Sequence, residues 1–79
     1  KMEKDIKYVY LLKDHHRSIQ DVFASFKDAE AEALKQIEAF HGLENLEKID
    51  MPSMCYTRYF IIEDDRLMLK RSIVRRIVK

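Results

Sequence analysis

Seventy-nine residues with 47% hydrophobic and 37% charged side chains describe one soluble-type domain that buries roughly 60% of its unfolded surface, enough for a single core and too little to enclose a deep active site. One Gly and one Pro exclude a low-complexity chain and a linker. The single cysteine, Cys55, excludes an internal disulfide and fits a reducing compartment.

No stretch approaches the roughly 18 apolar residues of a membrane span, and no apolar leader follows Lys1-Met2, so the expected location is the cytoplasm. Lys1 is read as a cloning remnant ahead of a natural start at Met2, and residues 1–79 as one domain. The charge is uneven. Residues 28–50 carry Asp28, Glu30, Glu32, Glu38, Glu44, Glu47 and Asp50 against Lys35 and Lys48, whereas 66–79 carry Arg66, Lys70, Arg71, Arg75, Arg76 and Lys79 with no acid. Such a dipole steers a partner or draws the two segments together.

Ile6–Lys13 has strand composition with apolar residues on both sides, Tyr8, Tyr10 and Leu12 on one and Val9 and Leu11 on the other. A polar turn follows, and Ile19–Ala24 closes a first hairpin. Ser25, with Asp28 three residues on, marks a helix start, and Gly42 marks its end. Between them Phe26, Ala29, Ala33, Ile37 and Phe40, with Leu34 at the margin, form an apolar stripe. The small Ala29 and Ala33 let the helix axis approach the strands closely. Leu43, Leu46 and Ile49 suggest a helical turn or two before Pro52 stops it.

The last third, from Met54, reads as a long hairpin around an Asp64-Asp65 turn. A two-residue loop pairs Glu63 with Arg66, Ile62 with Leu67, Ile61 with Met68, Phe60 with Leu69 and Tyr59 with Lys70. The same register sets Arg58 against Arg71, a like-charge pair that disfavours continuing the ladder. The segment 73–79 is strand or short helix, its β-branched residues favouring strand. The expected fold is α+β, a four-stranded antiparallel sheet with one helix on one face, in the order β-β-α-β-β.

One helix covers one face only, so the face bearing Phe60, Ile62, Leu67 and Leu69 is expected beneath it. The other then carries Tyr59, Ile61, Met68 and Lys70, joined by Tyr8 and Tyr10. These six residues are the expected protein-binding surface, since Tyr and Met are enriched in interface cores. The competing expectation is that segment 43–53 or the C-terminal tail roofs this face.

Chemical motifs are weak. Asp14-His15-His16 is spelled like the signature of the metal-dependent DHH phosphoesterases, but the match covers three letters, and adjacent His15 and His16 point to opposite sides of a strand. A solvated turn is the better reading, and His41 is a cation favouring a helix C-terminus. Cys55 in a strand is a small hydrophobe without an activating base, and Glu63-Asp64-Asp65 lacks the spaced ligands of a calcium loop. The expectation is no enzyme, no cofactor and no metal. A basic ribbon of Arg71, Arg75, Arg76 and Lys79 near Tyr56 and Tyr59 is the competing nucleic-acid-binding reading.

Together, Tyr8-Val9-Tyr10-Leu11-Leu12, Val22-Phe23-Ala24-Ser25, the helix start Asp28-Ala29-Glu30-Ala31-Glu32 and the closing hairpin resemble the small ββαββ proteins encoded by phages and mobile elements. Some of these, anti-CRISPR proteins among them, act without catalysis by occupying a functional surface of a host nuclease or defence complex. The resemblance implies a protein-binding inhibitor in the host cytoplasm. The class shares no motif, so it transfers no residue roles. Nucleic-acid binding through the basic hairpin is the second reading, and a small accessory subunit or homodimer the third.

Overall fold

The structure, a computed structural model, describes residues 7–78; the readings made of Lys1, Met2, Ile6 and Lys79 lie outside them. Strands β1 (Lys7–Lys13) and β2 (Ile19–Phe23) precede helix α1 (Phe26–His41), and β3 (Leu46–Met51), β4 (Tyr56–Glu63) and β5 (Arg66–Val78) follow it. All pairings are antiparallel, and the sheet order is β2-β1-β5-β4-β3. The fold is therefore α+β with one helix, as the sequence implies, but with five strands where four were expected.

The fifth strand is the acidic segment. Leu43, Leu46 and Ile49 have helical spacing, yet 46–51 is an edge strand with apolar residues on both faces. Leu46 packs against the core, while Ile49 and Met51 lie on the opposite side, beside Arg58 and Tyr56 of β4. A two-sided strand mimics a three-residue repeat. Pro52 then opens a 3-10 turn, Pro52–Met54, so the hairpin begins at Tyr56 and not at Met54. Cys55 is in that connection with a left-handed backbone (φ 62°), outside the strand it was assigned to.

β5 is the central strand and the longest. Its Ser72–Val78 half pairs with β1 and its Arg66–Val74 part with β4, so segment 73–78 is strand. Asp64 and Asp65 turn with φ of 52° and 61°, the two positive values that a type I′ hairpin turn requires. Glu63↔Arg66, Ile62↔Leu67, Ile61↔Met68 and Phe60↔Leu69 pair in the expected register. Lys70 is then an extra, bulged residue, and Tyr59 pairs with Arg71 instead of Lys70. The bulge relieves the like-charge pair foreseen in a regular ladder, because Arg58 now faces Ser72. It also brings Ile73 opposite Thr57, onto the same face as Tyr59 and Ile61.

α1 starts where Ser25 Oγ accepts the Asp28 N–H at 3.1 Å and ends where the Gly42 N–H, at φ 72°, donates to the Glu38 carbonyl at 3.1 Å. Ala29, Ala33 and Ile37 pack with Leu12, Tyr59, Ile61 and Ile73, flanked by Tyr10, Phe23, Phe26, Leu34 and Leu46. The core ends at Ile37: Phe40, assigned to the stripe, is 76% exposed.

The helix lies on the face opposite to the one expected. Tyr8, Tyr10, Tyr59 and Ile61 do share a side, but that side is covered: Tyr59 is 0% and Ile61 4% exposed. A period of two decides which side chains travel together and is silent on which set meets the helix. Here Leu12, Ile73 and the Tyr59 ring decide it, and the Tyr59 hydroxyl donates to Glu30 Oε2 of the helix at 2.7 Å.

Candidate protein-binding face

The side of the sheet away from the helix is apolar across its whole width. Val22, Leu11, Val74, Tyr56 and Met51 form one row through all five strands. Two rows further on, Leu69 pairs with Phe60, and beyond them Leu67 pairs with Ile62. Val9 extends the patch on β1 and Ile49 on β3. Val22 and Leu67 are each 50% exposed and Ile62 39%; the others are half-buried by one another with no overlying element among the described residues. An antiparallel sheet with one solvated side ordinarily alternates apolar and polar residues. Here one row is apolar on all five strands and a second apolar group lies beyond the Lys13–Ser72–Arg58 row, and apolar surface of that extent on a small domain marks a contact surface.

Neither roof considered above is present: segment 46–51 is an edge strand and 73–78 part of the central strand. The charges on the open face are mostly positive. By alternation along their strands, Lys7, Lys13, Arg58 and Arg76 project from it, and Glu47 beside Phe60 is the acid among them. The Arg58 guanidinium is stacked 4.2 Å from the Tyr56 ring centre.

The six residues expected from the sequence to form a binding surface are thus divided. Tyr59 and Ile61 are core, Tyr10 packs against the core, and Tyr8 lies under the Arg75 guanidinium, 4.6 Å from it. Met68 is 38% exposed on the helix side of the hairpin, and Lys70 is the bulge. The basic ribbon is divided too. Arg71 turns to the helix, where its Nε donates to Gln36 Oε1 at 2.7 Å; Arg75 is on the same side, its Nη2 3.4 Å from Cys55 Sγ; Arg76 pairs with Val9 on the open face. The residues missed in sequence, Phe60, Leu69, Leu67, Ile62, Val74 and Leu11, carried a signal: they are the second apolar set of strands that are apolar on both sides.

On the helix side Glu30 accepts from both Tyr59 and the Lys48 ammonium, each at 2.7 Å. Desolvation pushes the Glu30 carboxyl up, but the Lys48 and Tyr59 hydrogen bonds outweigh it and hold the group below its ordinary value. Burial, and then the Glu30 hydrogen bond, raise the Tyr59 hydroxyl far above its usual range. A carboxylate held low in the folded state contributes stability that is present above its unfolded pKa and lost as pH falls through the folded one. Acidification from pH 6 to below about pH 4 should therefore destabilise the wild type more than a Glu30→Gln variant. Thermal melts of both proteins across that range measure the difference.

Beside the helix start is a cleft of about 250 Å³ lined by Tyr10, Phe26, Asp50, Pro52, Cys55, Thr57, Ile73 and Arg75 among others. Its polar groups bond one another, Thr57 Oγ1 donating to Asp50 at 2.6 Å and Arg75 to Cys55. The group on the thiol is a guanidinium, which cannot serve as its base. The 14–18 turn is built on Asp14, whose carboxylate accepts the Ser18 and His16 N–H groups at 3.0 and 2.9 Å. The Ser18 bond leads in holding it below the usual carboxylate range, so Asp14 organises a turn beside exposed His15 and His16, whose rings lie 3.9 Å apart with their planes tilted by 41°.

Among the described residues no group of three or more His, Cys, Asp or Glu is placed to hold a metal ion, and no helix is long and apolar enough to cross a membrane. Comparison of the chain with protein-family models, with curated proteins and with solved structures gives no match.

Proposed function

We propose that this chain is a non-enzymatic, cytoplasmic protein-binding module that covers a functional surface of another protein in a stoichiometric complex, as small phage-encoded inhibitors do. The observation that carries the reading is the uncovered apolar row, Val22–Leu11–Val74–Tyr56–Met51, with Phe60 and Leu69 beyond the Lys13–Ser72–Arg58 row on the same face. Burying such a face against a complementary surface supplies affinity without any reactive group.

Two features favour a different protein as the occupant over nucleic acid or a second copy. Aliphatic side chains outnumber the two aromatic rings on this face, Tyr56 and Phe60, and Tyr56 already carries the Arg58 guanidinium, while Arg71 and Arg75 point away from Arg76. Two copies meeting face to face would bring together Lys7, Lys13, Arg58 and Arg76 of each, with Glu47 the acid to offset them, and like charges across an interface disfavour it.

The test is Leu69→Glu, which places a charge on the half-buried open face opposite Phe60. The variant is expected to keep its fold, with stability within about 1–2 kcal/mol of wild type, and to lose the complex that the wild type forms in its source cells, read by quantitative affinity purification. Phe40→Ser, on the exposed end of the helix, is the control expected to keep that complex. Retention of the same partner by a folded Leu69→Glu variant contradicts the assignment.

A further inference from the structure

Within the open face, three basic residues line one hollow around a small residue. Lys13, Ser72 and Arg58 form a row across β1, β5 and β4, with Ser72 paired to Lys13 on one side and to Arg58 on the other. Strand spacing sets the two flanking Cα atoms about 10 Å apart, and the short serine leaves a notch between two long side chains. Arg17, held at φ 68° in the 14–18 turn, closes the third side. The result is a hollow of about 60 Å³ lined by Lys13, Arg17, Arg58, Ser72, Tyr56 and Val74, roomy enough for more than one water and so for a two-oxygen head group.

No carboxylate of the described residues is within salt-bridge distance of these three side chains. The ion pair among the described residues is Lys48–Glu30, on the other side of the sheet. The Arg58 guanidinium carbon lies 4.2 Å from the Tyr56 ring centre, a cation–π contact that restrains the side chain beside the hollow. Three unpaired cations around a serine repel one another, and an anion placed between them removes that repulsion while gaining charge-assisted hydrogen bonds.

We infer that this hollow receives a carboxylate from the bound protein, so that the partner's contact surface is apolar with an exposed Asp or Glu set into it. The inference rests on the protein-binding reading and names the chemistry of the partner. The apolar surroundings favour a carboxylate over a nucleic-acid phosphate. Val74, Tyr56 and Leu11 border the cations, whereas a phosphate backbone needs cations repeated along a track.

The test uses simple anions and needs no partner. The ¹⁵N-labelled chain is titrated with sodium acetate, with inorganic phosphate and with a ten-residue oligothymidylate, each against sodium chloride at matched ionic strength. Acetate is expected to give saturable shifts confined to the Ser72 amide, the Arg58 Nε–H and neighbouring signals, and to raise the melting temperature. A folded Lys13→Gln/Arg58→Gln double variant is expected to lose both effects. The inference is overturned if acetate does no more than chloride, if the double variant responds like wild type, or if phosphate and the oligonucleotide shift these signals and acetate does not. An intact protein complex with the double variant also overturns it, while leaving the protein-binding reading in place; Leu69→Glu, which tests that reading, should keep the acetate response.

Discussion

Tyr59→Ala is expected to cost about 3–5 kcal/mol of folding stability, and Phe60→Ala, one residue further along the same strand, only about 1–2 kcal/mol. Tyr59 is fully buried between β4 and the helix. Truncation removes the ring from the centre of the core and leaves a cavity that Ala29, Ala33 and Ile37 are too constrained to fill. It also removes one of the two donors on Glu30. Tyr59→Phe separates these contributions, because it keeps the ring and gives up the hydroxyl for about 1 kcal/mol. Phe60 projects the other way, half-buried against Leu69, and loses only the contacts it makes on an uncovered surface. Urea denaturation of the three variants gives the ranking. A Phe60→Ala variant less stable than Tyr59→Ala would place the helix on the wrong face.

Ala33→Leu is the second large effect, with an expected cost of about 2–3 kcal/mol. Ala29 and Ala33 are both 0% exposed and line the helix side of the core it shares with the sheet. Three added carbon atoms at that line must push α1 away from Leu12 and Ile73 or force strained rotamers. Ala31 on the same helix is exposed, and Leu and Ala have similar helix propensities. Ala31→Leu is therefore expected to change stability by less than about 0.5 kcal/mol. Equal effects at the two positions would mean that the helix stands off the sheet.

The local elements of this fold are legible in the residues because each is specified within a few positions. Ser25 and Gly42 bound the helix, Asp64-Asp65 sets the last hairpin, and four of its cross-strand pairs follow from the two-residue loop. Even the bulge left a trace, since a regular ladder would have set Arg58 against Arg71. Three features depended on distant contacts. Segment 46–51 becomes a strand by pairing with β4, which its Leu46–Ile49 spacing does not reveal. Phe40 has the angular position of a core residue, yet it lies one turn beyond the last buried helix residue, Ile37, and is exposed. The choice of covered face rests on how Leu12, Tyr59 and Ile73 fill the space under two alanines. The strand residues were sorted into the right two sets, and the candidate site was assigned to the wrong one, because both sets are apolar. The basic residues of the last strand failed as a group for a related reason: the Lys70 bulge and strand alternation send Arg71 and Arg75 to one side and Arg76 to the other.

One apolar face of the sheet is covered by the helix, and the other has no overlying element among the described residues. Methyl relaxation by a soluble gadolinium chelate tests it most directly. Leu11, Leu69 and Val74 should be relaxed several-fold more strongly than Leu12, Ile37 and Ile73, which are at most 2% exposed. Equal protection of the two sets would show that the second face is covered in the free protein, and the binding surface proposed for it would not exist.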